Sequence, residues 1–168
     1  MKHLFFVFCV LLLVPLIGLG QEQKGKQETA GQGYLFAAPS AFVCSGCNSS
    51  GAIHFGGGGQ FNLYKGLGAG ADIGYLTSYR NFESGVGLFS LNGLYSFSTD
   101  RRAKVVPFVT AGYSMLFRSG HVNGFNFGGG LNYWFSDKIG LRAEFRDHIH
   151  PDYTDAHLIQ GRIGISFR

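Results

Sequence analysis

Apolar and polar residues alternate along most of this chain. In Ile139-Gly140-Leu141-Arg142-Ala143-Glu144-Phe145-Arg146, the residues Ile139, Leu141, Ala143 and Phe145 share one face, and Gly140, Arg142, Glu144 and Arg146 share the other. A period of two is that of a β-strand with one apolar and one polar face. The pattern predicts eight strands, over 33–43, 52–64, 67–77, 85–97, 105–117, 122–135, 139–148 and 158–167. Most reach the roughly nine to eleven residues that a tilted strand needs to cross a bilayer. The connections 65–66, 98–104 and 136–138 alternate with 44–51, 78–84, 118–121 and 149–157. Consecutive hairpins place these two sets at opposite rims, and an even strand number returns both chain ends to one rim. Pro39 and Pro107 each remove a ladder donor, so bulges or strand ends are expected there.

Alternation alone does not say which face points inward. A soluble barrel turns its apolar face in, whereas a membrane barrel turns it out to lipid and fills its interior with the polar face. Composition favours the second arrangement. Charged residues make up 14% of the 168, against about 25% in a typical soluble domain. The 27 Gly, 17 Phe and 8 Tyr suit a sheet that meets lipid outside and closes tightly inside. An apolar fraction of 45% argues against disorder, and the length allows one domain. The net charge of +4 comes from scattered basic residues, so no nucleic-acid partner is implied.

At the N-terminus, Lys2 and His3 precede an apolar run that begins at Leu4 and ends at Leu19, followed by Gly20. This is the pattern of an export signal over 1–20, cut after Gly20, with a flexible polar leader over 21–32 and the barrel over 33–168. In the exported chain, Cys44 and Cys47 are expected to close a small disulfide loop. Gly56 to Gly59 lack the Gly-Lys-Ser/Thr ending of a phosphate loop; with Gly128 to Gly130 they are expected to let strands bend and to leave room for large side chains.

The inward face collects Asp72, Arg142, Glu144, Arg146 and Arg162. Buried charges must pair or be hydrated, so a salt-bridged plug is expected, with Glu144 bridging Arg142, Arg146 or Arg162. A narrow ion path lined by these arginines is the alternative. A second polar cluster, Asp147, His148, His150, Asp152, Asp155 and His157, is read as a solvated surface loop, and His148, His150 and His157 are its candidate metal ligands. Tyr34, Tyr75, Tyr95, Tyr113, Tyr133, Trp134 and Phe167 fall towards strand ends, where interfacial girdles are expected.

The segment Phe127-Gly128-Gly129-Gly130-Leu131-Asn132-Tyr133-Trp134-Phe135, continuing to Arg146, resembles the penultimate hairpin of the small outer-membrane β-barrel proteins, the class of the OmpA transmembrane domain and OmpX. The strand Gly161-Arg162-Ile163-Gly164-Ile165-Ser166-Phe167 is similar to their closing strand, with Arg168 added after the aromatic. The resemblance implies an all-β, eight-stranded antiparallel up-and-down transmembrane barrel in a cell outer membrane. It also implies recognition of Ile163, Ile165 and Phe167 by the barrel-assembly machinery. Lipid A deacylases share this fold and place a Ser two residues after their His, but here His148 is followed by Ile149 and His150. The expected protein is therefore a non-enzymatic monomer without a cofactor, in contact with outer-membrane lipid and serving membrane integrity, surface interaction or limited transport. The alternatives are a narrow small-solute or ion channel, a barrel enzyme acting on lipid A, and a soluble periplasmic barrel holding an apolar ligand.

Overall fold

The computed structural model describes residues 31–44, 46, 48–100, 102–150 and 156–168. Eight strands follow in order: β1 (Gly31–Val43), β2 (Ser50–Tyr64), β3 (Leu67–Ser78), β4 (Asn81–Ser96), β5 (Val105–Phe117), β6 (His121–Trp134), β7 (Ile139–His150) and β8 (Ala156–Phe167). Each pairs antiparallel with its sequence neighbours, and β8 pairs back onto β1 to close the barrel. Closure lets the ladder satisfy its own N–H and C=O groups, as a sheet in lipid must. The expected export signal and most of the leader lie outside the described residues, but Gly31 and Gln32, assigned above to the leader, belong to β1.

The register sets the shape. Following paired residues once around, from Gly33 through Gly59, Ala71, Leu91, Tyr113, Phe125, Ile149 and His157, returns to β1 at Val43, ten residues beyond the start. That stagger tilts the strands, and eight of them enclose an interior that side chains can fill.

The two faces are unlike. Outside, Leu35, Ile73, Leu91, Phe145 and Ile163 are each more than half exposed, and Tyr64, Tyr95, Tyr133 and Phe167 ring the rim that carries the C-terminus. Inside lie Asp72, Asn92, Arg142, Glu144, Arg146, Gln160 and Arg162, all buried. Monomeric soluble domains do not wear an apolar band of this extent, so lipid is its solvent. The soluble alternative, which needs an apolar interior, is overturned.

The strands run further than expected at the rim opposite the termini. Instead of a loop over 78–84, Tyr79 and Arg80 alone form the turn and β4 begins at Asn81. Thr77 Oγ1 donates to the Asn81 carbonyl at 3.0 Å and Tyr75 OH to the Phe82 carbonyl at 2.6 Å, which pins the hairpin. Polar residues read as loop here because above the apolar band both faces of a strand are wet. The expected loop over 149–157 shortens for the same reason, with Ile149, His150, Ala156 and His157 in the ladder. The prolines create no bulge. Pro39 keeps register with Ile53 and Pro107 with Leu131, whereas the irregularities fall beside turns, at Asn62/Tyr64 and Leu76/Ser78. One missing donor interrupts a ladder bond without shifting its neighbours.

Two glycine positions explain themselves. In the β2–β3 turn, Lys65 and Gly66 have φ of 42° and 90°, the doubly positive pattern of a type I′ hairpin. Gly58 faces the lumen, where a Cβ would lie 2.5 Å from the Ala71 carbonyl oxygen, 2.7 Å from Asp72 Cβ and 2.8 Å from Tyr34 Cζ. Gly58→Val should therefore lower stability by about 1–3 kcal/mol through overpacking. Urea unfolding in detergent would read this, and an unchanged midpoint would mean that the β3 backbone at Ala71 shifts together with Tyr34 and Asp72.

Candidate functional site

The lumen is filled in layers, starting from the rim that carries the C-terminus. At that mouth Gln60 Nε2 donates to Gln32 Oε1 at 2.7 Å, and Ser166 Oγ to Asn132 Oδ1 at 3.2 Å. Trp134 is buried beneath the Arg168 guanidinium, which stacks on it at 4.1 Å. The next layer is aromatic. Arg142 lies over the rings of Tyr34 and Phe108, at 4.4 and 4.0 Å, and Arg162 over Phe36 at 4.4 Å. Such stacking contributes about 2 kcal/mol when desolvated.

Five expected residues meet in one network above it. Glu144 Oε2 accepts from Arg142 Nε at 3.0 Å, and Glu144 Oε1 accepts from Arg146 Nε at 2.6 Å and also from Arg146 Nη2. Asp72 Oδ2 accepts from Arg146 Nη1 at 2.8 Å, and Asp72 Oδ1 from Arg162 Nη1 at 3.2 Å. Glu144 thus joins Arg142 to Arg146, while Arg162 pairs with Asp72. Tyr34 OH and Asn92 Nδ2 complete the Asp72 shell at 3.3 and 3.2 Å, and Gln60 Oε1 accepts from Arg142 Nη1 at 3.0 Å. Arg162 Nε donates to Gln160 Oε1 at 3.0 Å, which carries the network to His54.

Beyond the network, Ala52, Leu76, Leu88 and Leu158 form a buried apolar plug, with Phe42, Val86 and Leu116 packed on it. Above the plug an open cup of about 580 Å³ has Phe42, Leu116 and Val122 among its walls and Arg118 and His121 at its lip.

The polar cluster near the C-terminal hairpin is not a surface loop. Asp147, His148 and His150 are buried strand residues. Alternation sends His148 and His150 into the lumen and Asp147 and His157 to the outside, where His157 Nδ1 meets Asp147 Oδ2 at 2.8 Å. The three candidate ligands therefore do not converge. Among the described residues no group of three or more His, Cys, Asp or Glu side chains could hold a metal. Asp152 and Asp155 lie outside the described residues. Cys44 is disulfide-bonded, and Cys47 also lies outside them. On the closing strand Ile163, Ile165 and Phe167 all face outward.

Several lumen residues escaped the sequence reading. Tyr34 and Trp134, expected in a girdle, point inward, while Tyr95, Tyr113, Tyr133 and Phe167 point outward. An aromatic side chain suits either lipid or a guanidinium face, so its type does not give its direction. Parity does, since Tyr34 shares its face with Ser40, and Trp134 with Asn126 and Asn132. Gln60, Asn92, Gln160 and His54 share the same parity signal.

The comparisons agree with this arrangement. The outer membrane protein beta-barrel domain model matches residues 9–167. No curated protein matches the chain in sequence. Among solved structures, Neisserial surface protein A aligns with a TM-score of 0.65 and 15% identity, over 82% of this chain and 96% of that one. The N-terminal β-barrel domain of Pseudomonas aeruginosa OprF aligns at 0.58 and 18%, over 82% and 98%. The attachment invasion locus protein of Yersinia pestis, solved with the heparin analogue sucrose octasulfate, aligns at 0.53 and 9%, over 82% and 96%. With a closed antiparallel barrel, an apolar exterior and a family match over most of its length, this chain belongs to the outer membrane protein beta-barrel domain family.

Proposed function

We propose that this protein is a closed, non-enzymatic structural barrel that supports outer-membrane integrity and does not pass solute. The observation that carries this reading is the filled lumen. An ion crossing it would have to part Asp72 from Arg146 and Glu144 from its two arginines, then pass the Leu88 and Leu158 layer. Eight strands leave little width for any other path. The reading includes export by the 1–20 segment with cleavage after Gly20. It also includes assembly through Ile163, Ile165 and Phe167 by the barrel-assembly machinery, and a monomer solvated by outer-membrane lipid.

Purified barrel in planar bilayers under molar potassium chloride is expected to show no stepwise conductance. Reproducible steps that vanish in a control without protein would replace the structural reading with the channel. A deletion strain should become leaky to detergents and recover with the wild-type gene. Recovery would also require the N-terminal mass expected for Gln21, which tests the cleavage.

A second reading, surface interaction, rests on the hairpin of β3 and β4. Strand β4 rises past β5, whose pairing with it starts only at Gly87, and the hairpin exposes Tyr79 and Phe82 beside Arg80. Arg118 and His121 are exposed at the same rim. A polyanion such as the heparin analogue held by the Yersinia pestis protein suits this basic lip. Retention on heparin that is lost in Arg80→Ala/Arg118→Ala would support it, and no retention would end it.

A further inference from the structure

Between the salt-bridged network and the apolar plug lies a polar layer that the network touches only through Arg162, Gln160 and His54. On β7, His148 is the next inward residue beyond Arg146, and it stands opposite Asn126 of β6. On β8, Gln160 stands one inward step beyond Arg162 and is hydrogen-bonded to His54 of β2. Ser90 and Ser114 face each other across β4 and β5. The ten-residue stagger brings these positions to a common depth. His54, Ser90, Ser114 and His148 have no exposed surface, and Asn126 and Arg162 have 2% each.

Most of this layer's polar atoms have no protein partner: Ser90 Oγ, Ser114 Oγ, Asn126 Oδ1, both His148 ring nitrogens, His54 Nε2 and Arg162 Nη2. Leaving so many buried polar groups unmade in one layer is unfavourable, and their chemistry says what they would accept. Gln160 Oε1 already accepts from Arg162 Nε, and His54 Nδ1 lies 3.2 Å from Gln160 Nε2 and 3.3 Å from Gln160 Oε1; in the tautomer in which Nδ1 accepts from Gln160 Nε2, the His54 proton sits on Nε2. His54 therefore offers a donor. The two hydroxyls and Arg162 Nη2 offer more, and a neutral His148 adds one N–H. The acceptors among these atoms are Asn126 Oδ1, the second His148 nitrogen and the lone pairs of the two hydroxyls, whose hydrogens are free to turn towards an anion. The network directly below holds three guanidinium groups, of Arg142, Arg146 and Arg162, against the two carboxylates of Asp72 and Glu144, an excess of one positive charge.

We propose that this layer is a binding site for one small monovalent anion of the halide class, held by Arg162, His54, His148, Ser90 and Ser114. The anion accepts from the donors that the protein leaves over and neutralises the extra guanidinium charge. The plug of Leu76, Leu88 and Leu158 closes the layer towards the cup, which favours a monatomic anion over a bulky one.

The test uses the purified full barrel in detergent, transferred between gluconate, chloride and bromide at constant ionic strength. Its unfolding midpoint should rise with either halide, by roughly 3–6 °C for each tenfold excess over the dissociation constant. Ser90→Ala/Ser114→Ala, which leaves every arginine pair in place, should lose most of that rise. Wild-type crystals grown in bromide should show an anomalous peak within hydrogen-bond distance of Arg162 Nη2. Equal midpoints in gluconate and halide, an equal rise in the double variant, or no anomalous peak in the layer would each overturn the proposal. The crystal measurement needs no variant, so failure of the double variant to fold leaves the test intact.

Discussion

Asp72→Ala is expected to cost the folded barrel about 3–5 kcal/mol, because it leaves the buried Arg162 guanidinium with no carboxylate and takes one of two from Arg146. Asp72 accepts from Arg146 at 2.8 Å, Arg162 at 3.2 Å, Asn92 at 3.2 Å and Tyr34 at 3.3 Å, and its side chain has no exposed surface. Removing the carboxylate leaves Glu144 as the one acidic partner for three arginines. The native network need not itself add much stability, since taking five charges out of water is costly and their mutual attraction largely offsets it. What is severe is breaking the set from one side. The double variant Asp72→Ala/Arg162→Met should accordingly recover a large part of the loss, by withdrawing one stranded charge and keeping apolar bulk over Phe36. Urea titration in lipid vesicles, followed by fluorescence of the single tryptophan, Trp134, measures both variants. A loss below about 1 kcal/mol in the single variant would mean that water reaches the lumen charges.

On the opposite face, Ile163→Arg is expected to destabilise by about 2–4 kcal/mol, whereas Ile139→Arg should cost about 0–1 kcal/mol. Both side chains face outward. Ile163 is 62% exposed in the middle of β8, paired with Ala37 and Ala143, while Ile139 opens β7 at the rim that carries the C-terminus. A guanidinium at mid-depth must be solvated in hydrocarbon, but at the rim it reaches headgroups and water. Refolding into vesicles followed by denaturant titration gives the two numbers. Equal costs would show that the apolar band is not seated in the bilayer at the depth its girdle implies. The contrast is also independent of the lumen, because the two sites face away from every charged residue of the network.

Much of this was legible from the chain. Leu141 outward and Arg142 inward follow from period two, and the closing strand reads the same way through Ile163, Ile165 and Phe167. The weak places are where one face stops differing from the other. Above the apolar band, 78–84 and 149–157 have polar residues on both faces, so period two does not separate strand from loop there, and His148 and His150 read as solvated although they are buried strand residues. Tyr34 and Trp134 point inward against the girdle expectation for a related reason, since an aromatic ring is at home both in lipid and on an arginine.

The sequence by itself determined the eight strands, which residues share a face and the identity of the charged set, because alternation of side-chain direction in a strand is a local property of the backbone. Only the tertiary structure decided which charges meet. Asp72 and Arg162 are 90 residues apart, and they touch because closure of β8 onto β1 with a ten-residue offset brings them to one depth. Glu144, by contrast, meets Arg142 and Arg146 two residues away on its own strand, a local pairing, whereas the offset stacks the His54 and His148 layer beneath the leucines. Closure is a condition on the whole ring of strands, and no local pattern of residues encodes it.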